Sequence, residues 1–168
     1  NATKVGNYPY MGNVAMVRVW GKALTEEDVK QMYNVTQNKQ VAFTTGGNGY
    51  ATCCVPFVTS VPNGFTAYVV SEITNTSIVL KEVASSGDIL PQGIPVIMKG
   101  EARSNFTLSA IDQSTECTNT DLTSLPNYLI GSYCQKTITT GTGFYLKTTG
   151  NSMYRAATDY TLPACSCY

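Results

Sequence analysis

The sequence predicts an all-β protein: an antiparallel β-sandwich or barrel-like module with one short N-terminal α-helix. Three observations predict it. Short runs of alternating apolar and polar residues recur between turn signals built on Gly, Pro and Asn. Thr, Ser, Asn, Gly and Tyr are abundant while only 13% of residues are charged, the composition of a secreted β-protein more than of a helical enzyme. Helix signals gather in one short segment near the start, around residues 25–33.

In chain order, residues 1–12 are turn-rich and define no element. Val14, Met16 and Arg18 alternate with Ala15, Val17 and Val19, a strand that Gly21 ends just after Trp20. Trp20, between strand and helix, is expected in the core. Thr25 then stands as an N-cap with Asp28 three residues on, and Glu26 and Glu27 lie where the helix dipole favours negative charge. The acidic triplet is thereby explained without catalysis. Leu24, Val29, Met32 and Tyr33 mark the expected apolar side of the helix. Residues 37–49, polar and then glycine-rich (TTGGNG), read as a linker or loop, with a boundary near Gln40.

A second unit opens with GYATCCVPF at 49–57, a strand with Ala51, Cys53, Val55 and Phe57 on one face and Tyr50, Thr52 and Cys54 on the other. VPNG at 61–64 is a turn. In the next strand Phe65, Ala67 and Val69 alternate with Thr66, Tyr68 and Val70, and after a turn at Asn75 and Thr76 the chain returns over 77–83. DILPQGIPVIMKG at 88–100 is the stretch on which the rest is expected to pack: Pro91 fixes φ, Gly93 supplies the turn, and Ile94, Val96, Ile97 and Met98 make a short buried run. A short strand at 105–109, a helical turn at 121–125, strands at 128–133 and 160–165, and a hairpin over 143–156 turning at 149–151 complete the reading.

VRVWGKALTEEDVKQMY (17–33) resembles the closing strand and helix of a laminin-G-like, concanavalin A-like jelly roll. The resemblance covers about the first fifth of the chain and carries none of that family's ligand or calcium residues. It implies an extracellular, carbohydrate-associated, multidomain context. Without the rest of a jelly roll, the strand at 13–20 would have to pair with the next module or with another chain. GYATCCVPF, VPNGFTAYVV and ILPQGIPVIMKG, within 49–100, resemble a β-rich module found at the C-terminal end of secreted multidomain proteins of gut-type anaerobic bacteria. Cys53, Cys54 and Gln92 depart from that pattern. The resemblance brings no catalytic residue. It implies a division into 1–40, the end of a jelly-roll-like domain, and 41–168, an accessory module beside a sugar-handling domain.

Composition narrows the function further. Eleven cationic and eleven anionic side chains cancel, with no basic run, so no long-range field draws nucleic acid or an anionic membrane. No stretch approaches a membrane span. Histidine is absent, which removes the commonest general base and the usual serine or cysteine dyads. The chain lacks an initiator Met and a leader and is expected to be a piece of something longer. Six cysteines, at 53, 54, 117, 134, 165 and 167, are many for a cytosolic protein, and none forms a CxxC pair. Cys53 is expected in the core, and Cys117 with Cys134 is a possible disulfide; buried thiols acting as small apolar side chains are the alternative.

Two sites remain to weigh. Tyr145 and Tyr154, opposed across the hairpin with Lys147 beside them, could stack a sugar ring, or simply form a cross-strand aromatic pair. Glu72, Glu82 and Glu101 sit at strand ends or turns, and nothing in their spacing brings two carboxylates together as a glycosidase requires. TTGGNG lacks the helix and Lys of a phosphate loop, no calcium-loop spacing occurs, and the four NxS/T sequons, at Asn1, Asn34, Asn75 and Asn105, indicate surface loops at most. The expected role is a non-catalytic accessory or structural module, secreted or at the cell surface, using no cofactor. Its partners would be other domains of the same parent protein and a glycan. A carbohydrate-binding module and a fragment of a glycoside hydrolase are the alternatives.

Overall fold

The computed structural model describes residues 23–74, 76–111, 122, 124–147 and 152–168. Among them lie one helix, α1 (Glu26–Asn38), and short strands paired antiparallel throughout. In order these are β1 (Gln40–Thr44), β2 (Tyr50–Cys53), β3 (Thr59–Ser60), β4 (Thr66–Ile73), β5 (Ile78–Ala84), β6 (Ile89–Leu90) and β7 (Val96–Lys99). They continue as β8 (Asn105–Ser109), β9 (Gly131–Ser132), β10 (Lys136–Ile138), β11 (Phe144–Leu146), β12 (Met153–Arg155), β13 (Tyr160–Leu162) and β14 (Ser166–Cys167). The protein is therefore all-β with one short helix.

α1 begins as its sequence dictates. The Thr25 hydroxyl accepts from the Asp28 N–H, and the Asp28 carboxylate accepts from the Thr25 N–H, so two of the helix's orphan donors are satisfied reciprocally. Lys39, left-handed at φ 50°, ends the helix and donates its N–H to the Val35 carbonyl. The apolar side is the expected one only in part, since Leu24 and Met32 are half-buried. Val29 and Tyr33 are exposed, no helix residue is buried, and Val35 meets the main core. The reason is that α1 turns its Asp28, Gln31 and Val35 side to the body: the Cys134 thiol reaches the Asp28 carbonyl, the Gln135 N–H donates to the Gln31 side chain, and Val29 and Tyr33 lie off that side.

The central sheet runs β2-β7-β4-β5. β7, from the 88–100 stretch, lies between two neighbours, and both of its faces are covered. Val96 and Met98 enter the main core with Cys53, Phe65, Ala67, Val69 and Leu108; Ile97 enters a second cluster with Val70, Leu129 and Cys167. A strand covered on both faces reads as an unbroken apolar run, and VIM is that run. The same cover explains Val70: it sits on the Thr66 and Tyr68 side of β4, as expected, yet is only 2% exposed. Gly93 serves as predicted. Its φ is +77°, and a Cβ there would lie 2.7 Å from the Tyr133 hydroxyl.

β1 and β8 pair in register from Gln40↔Ser109 to Thr44↔Asn105. Phe106 of this ladder meets Phe43 at 5.4 Å and Phe65 at 4.5 Å between ring centroids, tying the ladder to the main sheet. Residues 40–44, expected within a linker or loop, are thus a strand, because Val41 and Phe43 give QVAFT a face to pack. Other boundaries also differ. The 49–57 strand stops at Cys53, and its continuation is buried irregular chain. The 128–133 strand shrinks to β9, and the 160–165 strand shortens to β13, with a further strand not expected, β14, beyond a left-handed Cys165. The strand at 13–20 and Trp20 lie outside the described residues, as do Asp121 and Thr123 of the expected 121–125 turn, in which Leu122 is buried against the main core. Among the described residues no helix is long and apolar enough to cross a membrane.

Candidate functional site

The β11–β12 hairpin has the register anticipated from its sequence: Leu146 opposes Met153, Tyr145 opposes Tyr154, and Phe144 opposes Arg155. Tyr145 and Tyr154 rings lie 6.4 Å apart, tilted by 38°. Tyr145 is also stacked on Tyr160 at 3.9 Å with 10° between planes, above a small cluster of Ile138, Ala156 and Leu162. One face of Tyr145 is therefore already occupied by protein. Burial, and then the neighbouring Tyr145, raise the Tyr160 phenol above its ordinary range. Tyr154 remains 41% exposed, with the Lys147 ammonium 5.3 Å from its ring centroid.

Alternation sends Phe144 to the other side of the same hairpin, where the larger groove lies. This groove, about 600 Å³, runs between the distal end of the β4–β5 hairpin, the extended segment 128–130 and the β11–β12 hairpin. Ile73, Tyr128, Ile130 and Phe144 line it and are each more than half exposed. Thr74, Thr76, Ser77, Thr142 and Ser152 add hydroxyls along the same walls, and among the described residues no Asp, Glu, Lys or Arg takes part. Its walls are held by backbone bonds. Tyr128 N–H donates to the Val70 carbonyl, while Ile130 and Tyr168 exchange two N–H···O bonds of 2.8 and 3.1 Å. The Lys136 ammonium, over the Tyr168 ring, also donates to the Tyr168 hydroxyl and fixes that last side chain. The volume and the mixture of apolar surface with a few polar groups are those of an ordinary ligand pocket.

The acidic residues sit elsewhere and hold turns. Asp88 accepts from the Ser85 N–H and hydroxyl, and Asp159 from the Thr140 N–H and hydroxyl; these bonds hold both carboxyls below their usual range. Neither this groove nor the smaller one beside Tyr50 and Leu162 is lined by a carboxylate, so Glu72, Glu82 and Glu101 are not brought to either. Among the described residues no three His, Cys, Asp or Glu side chains are grouped to hold a metal ion.

The cysteines are the other concentration of chemistry. Cys53 is fully buried in the main core, as its alternation indicated. Cys134 donates to the Asp28 carbonyl of α1 at 3.5 Å; Cys117, its possible disulfide partner, lies outside the described residues. No disulfide joins two described cysteines. Sequence reasoning placed Phe144 in the hairpin but not in a site. The signal was present, since fixing Tyr145 outward on one face sends Phe144 to the opposite one. Ile73, Tyr128 and Ile130 carried no such signal, because their meeting depends on the long-range path of 124–130. The chain matches no family model, no curated protein and no solved structure.

Proposed function

We propose that the chain is a non-catalytic accessory module of a larger secreted or cell-surface protein, and that it works by holding a neutral, hydroxyl-rich ligand, a glycan, in the groove beside Phe144. The observation that supports this reading is the composition of that groove: exposed rings of Phe144 and Tyr128 interleaved with Thr and Ser hydroxyls and, among the described residues, no charged side chain. Pyranose rings present apolar C–H faces and hydroxyl edges, and such walls complement both without the desolvation of a charge. The resemblance of 17–33 and 49–100 to parts of extracellular, carbohydrate-associated proteins points to the same ligand class, to neighbouring domains of the same parent, and to a division near residue 40.

A second reading places the glycan on the tyrosine hairpin instead, where Tyr154 is the exposed ring and Lys147 its neighbour. A glycan array followed by calorimetric titration separates the two. Saturable binding to uncharged glycans that Phe144→Ala weakens at least tenfold and Tyr154→Ala spares is the expected result. Binding lost with Tyr154→Ala and kept with Phe144→Ala would move the site to the hairpin. A chain that binds none of the glycans would refute ligand holding altogether.

A further inference from the structure

Four cysteines that are far apart in sequence meet beneath the last strand. Cys53 ends β2, Cys54 follows it, and Cys165 and Cys167 flank Ser166; all four are at most 3% exposed. The Cys54 N–H donates to the Cys165 carbonyl at 2.8 Å. The Cys167 thiol lies 3.4 Å from the Val96 carbonyl, and Val96 is the β7 partner of Cys53.

The decisive contact is at Gly131. Gly131 opposes Cys167 in the β9–β14 ladder. The next pair along, Ile130 with Tyr168, exchanges both N–H···O bonds, so Gly131 and Cys167 form the narrow, non-hydrogen-bonded kind of antiparallel pair. In such a pair the two Cβ positions share a face and lie about 4.5–5.5 Å apart. Gly131 has no Cβ, and the Cys54 sulfur fills that seat: a Cβ built there would lie 2.4 Å from it. The sulfur of Cys54 thus rests where a side chain facing Cys167 would be. Burial, and then the neighbouring thiols, push Cys53 and Cys167 well above the usual thiol range, so both are protonated in the closed fold.

We infer that Cys54 and Cys167 are a disulfide pair, a redox lock that fastens the C-terminal strand to the end of β2. The step is a thiol–disulfide exchange with a small-molecule or protein disulfide as oxidant. A thiolate of one cysteine attacks the oxidant, forming a mixed disulfide and expelling one thiol. The second cysteine then displaces the other thiol. Two S–H bonds are lost, one S–S bond forms, and the oxidant takes the two protons and two electrons as two thiols. Because both thiols are buried in the closed fold and that of Cys167 is protonated there, the exchange runs on the nascent fold or when the two-residue β14 lifts. The inference does not rest on the glycan reading, and its test involves no ligand.

The test is peptide mapping of the chain equilibrated with glutathione disulfide, alkylated and digested without reduction. A linked peptide two hydrogens lighter, with fragment ions joining Cys54 to Cys167, is expected. The linkage should persist in Cys53→Ala and vanish in Cys54→Ala. Reduction should lower the melting temperature of the wild type by roughly 10 °C, since the bridge closes a loop of over 100 residues, and should leave Cys54→Ala unmoved. All four thiols alkylated, or Cys167 linked to Cys53, would overturn the assignment. Mapping of the wild type decides this even if a variant fails to fold.

Discussion

Filling the space at Gly131 gives the sharpest test of the packing under the last strand. In Gly131→Ala the new Cβ would stand 2.4 Å from the Cys54 sulfur, 3.1 Å from the Cys54 Cβ and 3.5 Å from the Pro95 Cβ. Gly131 is not among the residues with positive φ, so alanine meets no backbone objection there and the steric effect stands alone. Overpacking a filled core costs about 1–3 kcal/mol, and the loss of unfolded-state freedom on replacing Gly by Ala returns about 0.4–1 kcal/mol. The net expectation runs from about zero to a destabilisation of about 2.6 kcal/mol, or up to roughly 10 °C for a chain of this size. Removing the obstructing sulfur should relieve it. Cys54→Ala alone costs about 1 kcal/mol in lost packing, but in Cys54→Ala/Gly131→Ala the two losses should partly cancel, with a coupling of about 1–2 kcal/mol. Urea titrations of the four proteins under reducing conditions measure this directly. Losses that add to within about 0.5 kcal/mol would show that the sulfur does not occupy the Gly131 seat, and the disulfide assignment would lose its geometric basis.

Other outcomes follow from single features. Thr25→Ala removes the reciprocal cap of α1, worth about 1 kcal/mol; amide exchange should quicken across the first turn while the melting temperature hardly moves, because no helix residue is buried. Met98→Ala, emptying a fully buried site on the central strand, should cost about 2–5 kcal/mol in a denaturant titration. Asp88 and Asp159 are depressed in the folded state, so each contributes stability that is present above the unfolded carboxyl range and is lost as pH falls through the lowered folded value. Asp88→Asn should therefore flatten the acid limb of the stability–pH curve, and carbon-detected titration should place both carboxyls below the usual aspartate range.

Local chemistry was readable wherever it was decided by neighbours in sequence. The Thr25–Asp28 cap, the Gly93 turn, the register that sets Tyr145 against Tyr154, and the burial of Cys53 all follow from spacing alone. What was not readable depends on long-range company. Alternation put Val70 on the face of Thr66 and Tyr68, and its burial there depends on Leu129 and Cys167, from the far end of the chain. Val29 and Tyr33 looked like part of a packing stripe, but α1 turns its Asp28, Gln31 and Val35 side to the body, which leaves those two in water. The groove is the same case. Phe144 was assignable to a face, whereas Tyr128 and Ile130 belong to an extended stretch with no periodicity of its own.

The two sites share one piece of backbone, and this links their energetics. Tyr168 and Ile130, a hydrogen-bonded pair, form part of the groove wall; Cys167 and Gly131, the next pair in the same ladder, hold the sulfur contact. β14 has only two residues, and a ladder so short opens cheaply unless something anchors it. A bond from Cys167 to Cys54 would anchor it to the buried chain just beyond β2. Lifting Tyr168 would then require displacing that buried chain as well. The wall of the groove would consequently be set before a ligand arrives, and a ligand that meets a preset wall loses less of its binding free energy to ordering it. Affinity in the groove should accordingly be higher for the oxidised than for the reduced chain, while a hairpin site at Tyr154, on the opposite face, should be indifferent to the state of the cysteines.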